Sequence, residues 1–336
     1  MPWLNLSKPT KMIKKILKRL RVHRLLPHQL RQKLALITNY WYDFKVYLKS
    51  SSMMDESGRE QQSSQLIMRY HAIEKGLSVP SPRKNFGQDK VIQLMDRLDT
   101  YRSQFGHDHV VVACLNALSS YLDYSVTGGV CESVRQYLST IDAVKSNAVL
   151  NIKRVDVIES ASINFAAFCR SRHSIRNFTG EAVDNSLIEK AVDIAKKTPS
   201  VCNRQTSRVH VLRGDKKKRI LDIQLGSRGF SDCIDTVLVM TSDRRAFTGI
   251  GERNQCWVDS GMFAMSVIYS LHALGLGSCC LNWSFTSSRD QLAREVFSID
   301  EAEAISMIIA VGHIPEVLNV ASSPRFPTFD ILTIHD

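Results

Sequence analysis

Arg172-His173-Ser174-Ile175-Arg176-Asn177-Phe178 is the stretch of this 336-residue chain best equipped for chemistry. Two guanidiniums and a hydroxyl follow the apolar-rich run Ile163 to Cys169, so an anion grip entered from the end of a helix is expected. Guanidinium suits phosphate oxygens because it is planar, permanently charged and bidentate. Standing alone, the pattern reads more readily as a solvated basic turn, and only its context can promote it.

Three other segments carry usable groups. Asn203 and Gln205 fall between a predicted helix and a predicted strand, where side-chain amides can meet the polar edge of a heterocycle. Gly275 to Trp283 puts small residues at a helix end, where a backbone can approach a flat ring closely. Earlier, His71 and Glu74 are three apart on a predicted helix and can share a face as an acid/base pair, although a surface turn also explains them.

The elements that must position these groups divide the chain. Ile13, Ile16, Leu17 and Leu20 at helical spacing, with lysines and arginines on the other faces, predict a basic amphipathic helix from Lys11 to Leu26, ended at Pro27. Tyr40 to Phe44 reads as a further helix, Ser50 to Ser64 as a polar linker, and Gly76 as the C-cap of the His71 helix. Helical periodicity continues over Val91 to Tyr101, Val110 to Leu122 and Val134 to Val144, so residues 1–155 show no strand pattern.

From about residue 155 the texture changes. One helix (Val155 to Cys169) delivers the Arg172 stretch, and a second, capped at Asp184 or Asn185, runs to Lys197. Strands are expected at Arg208 to Leu212, Thr236 to Thr241 and Ile305 to Val311, with an apolar helix from Trp257 to Leu274. The predicted units are a basic arm (1–50), a helical extension (51–155) and an α+β domain (156–336).

The charge is lopsided. Residues 1–50 hold twelve Lys/Arg against one acid, Asp43, and the rest balances at 32 of each sign. A neutral body argues against a nucleic-acid surface, so no nucleic-acid partner is expected. The basic helix suits docking on its own domain or, second, an anionic membrane surface. No run of about 18 apolar residues and no secretory pattern is visible, so the expected location is the cytoplasm, with peripheral contact at the inner membrane face through residues 11–26. Eight scattered cysteines fit reduced thiols rather than disulfides or a metal site, with adjacent Cys279 and Cys280 read as small buried residues.

Five segments in order resemble the FMN-dependent nitroreductase family: Arg172 to Phe178; Pro199-Ser200 to Asn203-Arg204-Gln205; Gly275-Leu276-Gly277-Ser278-Cys279; Ile309-Ala310-Val311-Gly312-His313; and Pro324-Arg325-Phe326-Pro327. The resemblance covers roughly residues 155–336. It implies an α/β/α sandwich with a mixed central sheet, a homodimer with FMN at the subunit interface, NADH or NADPH as electron donor, and a small-molecule acceptor. It further implies that Arg172, Ser174 and Arg325 hold the FMN phosphate, with His173 beside them in the cofactor site, that Arg176 tunes the flavin's pyrimidine edge, that Asn203 bonds the ring or ribityl chain with Arg204 and Gln205 as weaker candidates, and that Cys280, Leu281 and Asn282 run beside N5. No protein residue is then catalytic, because the flavin carries the redox chemistry. Thr206-Ser207 stands where the family often has Pro-Trp, and His313 reads as a strand-end histidine. Tyr70 to Leu77 resembles a segment of nitroreductase-like proteins encoded among bacterial polysaccharide-synthesis enzymes, which implies a role there. The alternative is a membrane-associated flavin-binding or non-catalytic assembly protein of a glycan pathway, with the basic helix as its anchor.

Overall fold

A computed structural model describes residues 27–79, 82–125, 128–141, 147–321, 323 and 325–335. The predicted basic helix at 11–26 lies outside these residues.

The first half is helical: α1 (His28–Ser50), α2 (Arg59–Ser78), α3 (Gln88–Phe105), α4 (His109–Tyr124) and α5 (Gly129–Ser139). Helices α2 to α5 share a core of their own, in which Leu66, Ile73, Leu94, Leu98, Leu115 and Tyr121 are buried. Asp108 starts α4, its carboxylate accepting from the amides of Val110 (3.0 Å) and Val111 (3.2 Å) that have no partner within the helix. The linker expected at 50–64 is shorter than its composition suggests, because α2 already begins at Arg59 and Ser50, Ser51 and Ser52 are buried. Nor does Gly76 end α2. It lies inside the helix, and a Cβ there would stand 2.0 Å from the Phe86 ring, so the glycine exists to admit that ring.

Helix α1 packs on the second half instead. Tyr42 donates to Asp290 (2.9 Å), Tyr47 to the Gly249 carbonyl (2.7 Å), and Asn39 accepts from the Ser287 amide (2.7 Å).

The second half runs α6 (Arg154–Ser160), α7 (Phe165–Ser171), α8 (Asn185–Ala195), β1 (Ser207–Leu212), α9 (Gly214–Gln224), β2 (Thr236–Asp243), α10 (Gln255–Ala273), β3 (Leu276–Asn282), α11 (Ser287–Phe297) and β4 (Glu303–His313). The single helix expected over Val155 to Cys169 is two, interrupted where the Asn164 side chain caps α7 by accepting from the Ala167 amide. Strand β3, unanticipated from its small residues, follows α10 directly after Gly275 turns the chain at φ +76°.

The four strands lie in the order β1-β2-β4-β3, and every neighbouring pair is antiparallel. The expected mixed sheet is therefore not formed. Strands β2 and β3 do run the same way, but β4 is inserted between them and opposes both. Alternation along the strands feeds two cores. Val237, Val239, Leu281 and Ala310 meet α9 and α11, whereas Leu238, Met240, Ile309 and Val311 meet α8 and α10. The result is a three-layer α+β sandwich with β4 interior, as its unbroken apolar sequence suggests.

Candidate functional site

The Arg172 stretch leaves α7 as extended chain along the outer edge of β3. The Ile175 amide donates to the Ser278 carbonyl (2.9 Å), the Thr179 amide to that of His313 (3.1 Å), and Ser174 bridges to Ser278. Apolar anchors fix the course. Ile175 and Phe178 are buried against the cross-strand pair Gly277 and Gly312, where an added Cβ would come within 3.1 Å of Ile175 and 2.8 Å of Phe178. Gly277 thus serves packing at this edge, a role its sequence does not signal. Burial on these two glycines leaves Arg172, Ser174 and Arg176 at the surface side of the segment.

There Arg170, Arg172, His173 and Ser174 line a cavity of about 320 Å³ with Arg325, which returns from the far end of the chain. The arginines of this half that form ion pairs are others: Arg204, Arg213, Arg245 and Arg294. Among the described residues none of Arg170, Arg172, Arg176 and Arg325 pairs with a carboxylate, so the cavity carries uncompensated positive charge. Burial lowers the pKa of the neighbouring His272, and the charges of Arg172 and His173 depress it further. The ring of His272 is hydrogen-bonded to the Ser171 hydroxyl at 2.8 Å, at the exit of α7. Burial raises the Cys279 thiol while Arg176 and Arg172 oppose the rise, which places both cations near β3.

Asn203 and Gln205 stand elsewhere. They belong to a turn in which Cys202 (φ 48°), Asn203 (φ 55°) and Gln205 (φ 50°) all adopt left-handed backbone, a cost usually borne only where the fold over-determines it. What over-determines it is Arg204. Its side chain is wholly buried, pairs with Glu252 (Nη1 to Oε2 3.2 Å), donates to the carbonyl of Ala246 (2.6 Å) and lies over the Phe247 ring. Arg204 is therefore committed to structure, although it also borders a cavity with Gln205. Thr206, in the place of the family's Pro-Trp, is buried against the Ser242 hydroxyl (2.9 Å). Gln205 borders two cavities, of about 530 and 400 Å³, neither sharing a residue with the Arg172 cavity. The second is walled by α2 and α4, so the helical extension reaches this loop.

Cys280, Leu281 and Asn282 end β3. Backbone groups of alternate residues face the same edge of a strand. The Ser278 carbonyl, taken by Ile175, and the Asn282 carbonyl, taken by Gln224 (3.2 Å), both face away from β4. The peptide groups of Cys280 face that same outer edge. Cys280 is exposed, contrary to its reading as a buried residue, while Cys279 is buried; none of the eight cysteines forms a disulfide.

His71 and Glu74 do share a face, 3.1 Å apart, and burial raises the Glu74 carboxyl against the pull of His71. They bond to each other and border none of the cavities described above. Sequence reasoning missed Arg170, which its neighbours in the basic stretch signalled, and a buried Arg244, which nothing local signalled.

The three-layer α+β domain thus gathers arginines, a serine and a histidine at the edge of its sheet, a donor set whose chemistry suits an anion. Residues 169–228 and 224–313 match the Nitroreductase family. The C-terminal half is thus a nitroreductase-family domain and the chain an oxidoreductase of that kind. Similar solved structures include an FMN-dependent nitroreductase from Clostridium difficile R20291 (20% identity, TM-score 0.42, covering 51% of this chain and 99% of that one). A nitroreductase family protein from Streptococcus pneumoniae TIGR4 gives 21% identity and TM-score 0.43, covering 51% and 100%. A nitroreductase candidate from Desulfovibrio desulfuricans in complex with FMN gives 22% identity and TM-score 0.44, covering 52% and 98%. At these scores the likenesses add no argument of their own. No curated protein matches the chain. Among the described residues no helix is long and apolar enough to cross a membrane.

Proposed function

We propose that the chain is an FMN-dependent oxidoreductase that takes electrons from NADH or NADPH and delivers them to a small-molecule acceptor. The observation that carries this reading is the convergence of Arg172, His173 and Ser174 with Arg325, more than a hundred residues away in sequence, on one cavity that no carboxylate among the described residues lines. Such a donor set fits a phosphate monoester: two permanent cations, a hydroxyl and an imidazole, set at the end of a helix. When bound, FMN supplies hydride transfer at N5. The chain's own residues bind and orient. Arg172, His173, Ser174 and Arg325 would fix the phosphate, the outward peptide groups at Cys280 to Asn282 would flank the ring, and Arg176 would stabilise negative charge on it.

Gln205, two residues from Asn203, lines different cavities from the phosphate grip, which supports a homodimer in which one protomer's loop completes its partner's flavin site. The three-unit division into 1–50, 51–155 and 156–336 is part of the same reading, with α2 and α4 as a wall beside Gln205. A place in polysaccharide synthesis rests on the resemblance of Tyr70 to Leu77 alone, and membrane contact on the composition of residues 11–26.

The test is direct. Purified protein should be yellow and should bleach anaerobically with NADH or NADPH; colourless protein that refuses added FMN would sink the reading.

A further inference from the structure

We propose a second ligand site, roofed by α1, that takes a neutral planar aromatic molecule bearing a primary carboxamide. A cavity of about 460 Å³ lies between α1 and the second half, within the usual range for small-molecule sites. Its walls include Tyr40, Trp257, Trp283 and Phe285, and three charged groups border it, Arg244, Asp43 and Asp290.

Arg244 is 7% exposed. Among the described residues its guanidinium donates once, from Nη1 to the Glu301 carbonyl at 3.3 Å, and no carboxylate lies within 4.0 Å of it. It also stands 5.9 Å from the centre of the Trp257 ring. Most of its five N–H groups thus have no acceptor among the described residues and are left to water or to a ligand in the cavity. Asp43 stands on the α1 side of the same cavity and makes no hydrogen bond among the described residues. The third charge, Asp290, is already satisfied by Tyr42 (2.9 Å), Trp283 (3.1 Å) and Arg294 (2.8 Å), and these bonds pin the roof in place.

A free donor and a free acceptor across an aromatic-walled space define the ligand. An anion would be drawn by Arg244 but would face Asp43, and a cation the reverse. A carboxamide satisfies both, its carbonyl accepting from Arg244 and its NH₂ donating to Asp43, while the ring lies on the aromatic walls. Because α1 supplies Tyr40 and Asp43, the sheet domain alone lacks this site. Its position one residue beyond Asn282 sets a bound ring at the end of the strand whose outer edge faces the phosphate grip. The assignment does not rest on the flavin reading, since binding can be read without turnover.

Benzamide, benzoate and toluene are titrated into the full-length protein as purified, followed by calorimetry. Saturable benzamide binding is expected, with benzoate and toluene weaker by about tenfold or more, as for loss of a hydrogen bond to a charged group. Arg244→Met should remove benzamide binding. Because that change also disturbs a packed interior, Asp43→Asn at the rim keeps the test decisive: it should shift the benzamide-to-benzoate preference about tenfold toward benzoate. Absence of saturable benzamide binding, or an unaltered preference in Asp43→Asn, overturns the proposal.

Discussion

Two arginine-bearing segments, residues 172–178 and 201–205, look alike in sequence and are built in opposite senses. In the first, apolar side chains go inward and the charges stay out: Ile175 and Phe178 are clamped on Gly277 and Gly312, and Arg172 faces a cavity. In the second, the charge itself goes inward: Arg204 is wholly buried on Glu252 and holds three left-handed residues in place. A cation kept out by apolar anchors is available to a ligand, and one used as the anchor is not. The contrast yields tests of decreasing size.

The largest effect belongs to Arg204→Ala. It would leave Glu252 without its partner and release the turn, costing about 3 kcal/mol of stability in denaturant unfolding, as expected for breaking a buried pair. The pH dependence follows. Burial alone would raise the Glu252 carboxyl, but Arg204 and the Thr248 amide outweigh it and hold the pKa below its usual 4.5. A depressed folded pKa means stability that is fully present above pH 4.5 and is lost as pH falls through the folded value. The native chain should therefore lose stability in acid, and Arg204→Ala should lose less of it over the same window. An acid limb equally steep in both proteins contradicts the anchoring role.

Next comes the available cation. Arg172→Ala and Arg325→Ala should each weaken FMN retention roughly ten- to hundredfold, the loss expected of one charge-assisted hydrogen bond, with the unfolding midpoint of flavin-free protein unchanged. Unchanged retention in both would break the proposed grip. Equal losses of retention and stability would make Arg172 resemble Arg204 and erase the contrast.

How much of this could be read in advance depends on the kind of signal. Most of the helices, β1, β2 and β4 follow from periodicity, and the Asp184 cap from its position, because those are local. The Arg172–Arg325 convergence is also foreshadowed, since cations at a helix exit are unusual enough to stand out once ordered with other segments. By contrast, β3 escapes because Gly-Ser-Cys-Cys has no strand signature; its strand state is imposed by β4 on one side and Ile175 on the other. The antiparallel sheet escapes because chain order does not reveal that β4 inserts between β2 and β3. Gly76 misleads because a glycine that makes room for a distant ring looks, in sequence, like a glycine that stops a helix, and the packing role of Gly277 against Ile175 is hidden in the same way.

Gly312 tests that lesson on the first segment. Gly312→Ala would drive a Cβ to 2.8 Å from the Phe178 ring, inside any ordinary contact. Since the clash is with a ring held in the core, a loss of about 1–3 kcal/mol is expected in thermal unfolding. The Arg172 stretch should loosen with it, so FMN retention should fall although no cation was touched. Retention unchanged in a destabilised protein would mean the segment's course does not depend on its apolar clamp.

The smallest effect is the most specific to charge. His272 titrates below its usual 6.5 because of burial first and then the uncompensated charges of Arg172 and His173. In Arg172→Ala its imidazole midpoint, followed by NMR, should move up toward 6.5. The imidazole's bond to Ser171 is untouched by the substitution, so the movement reports the arginine's field and not a rearranged hydrogen bond. Phosphate added to the native protein should move the same midpoint in the same direction, because an anion in the cavity cancels the same field. A midpoint indifferent to both would show that Arg172 is already neutralised, leaving Arg172 and Arg204 alike in having no charge to offer.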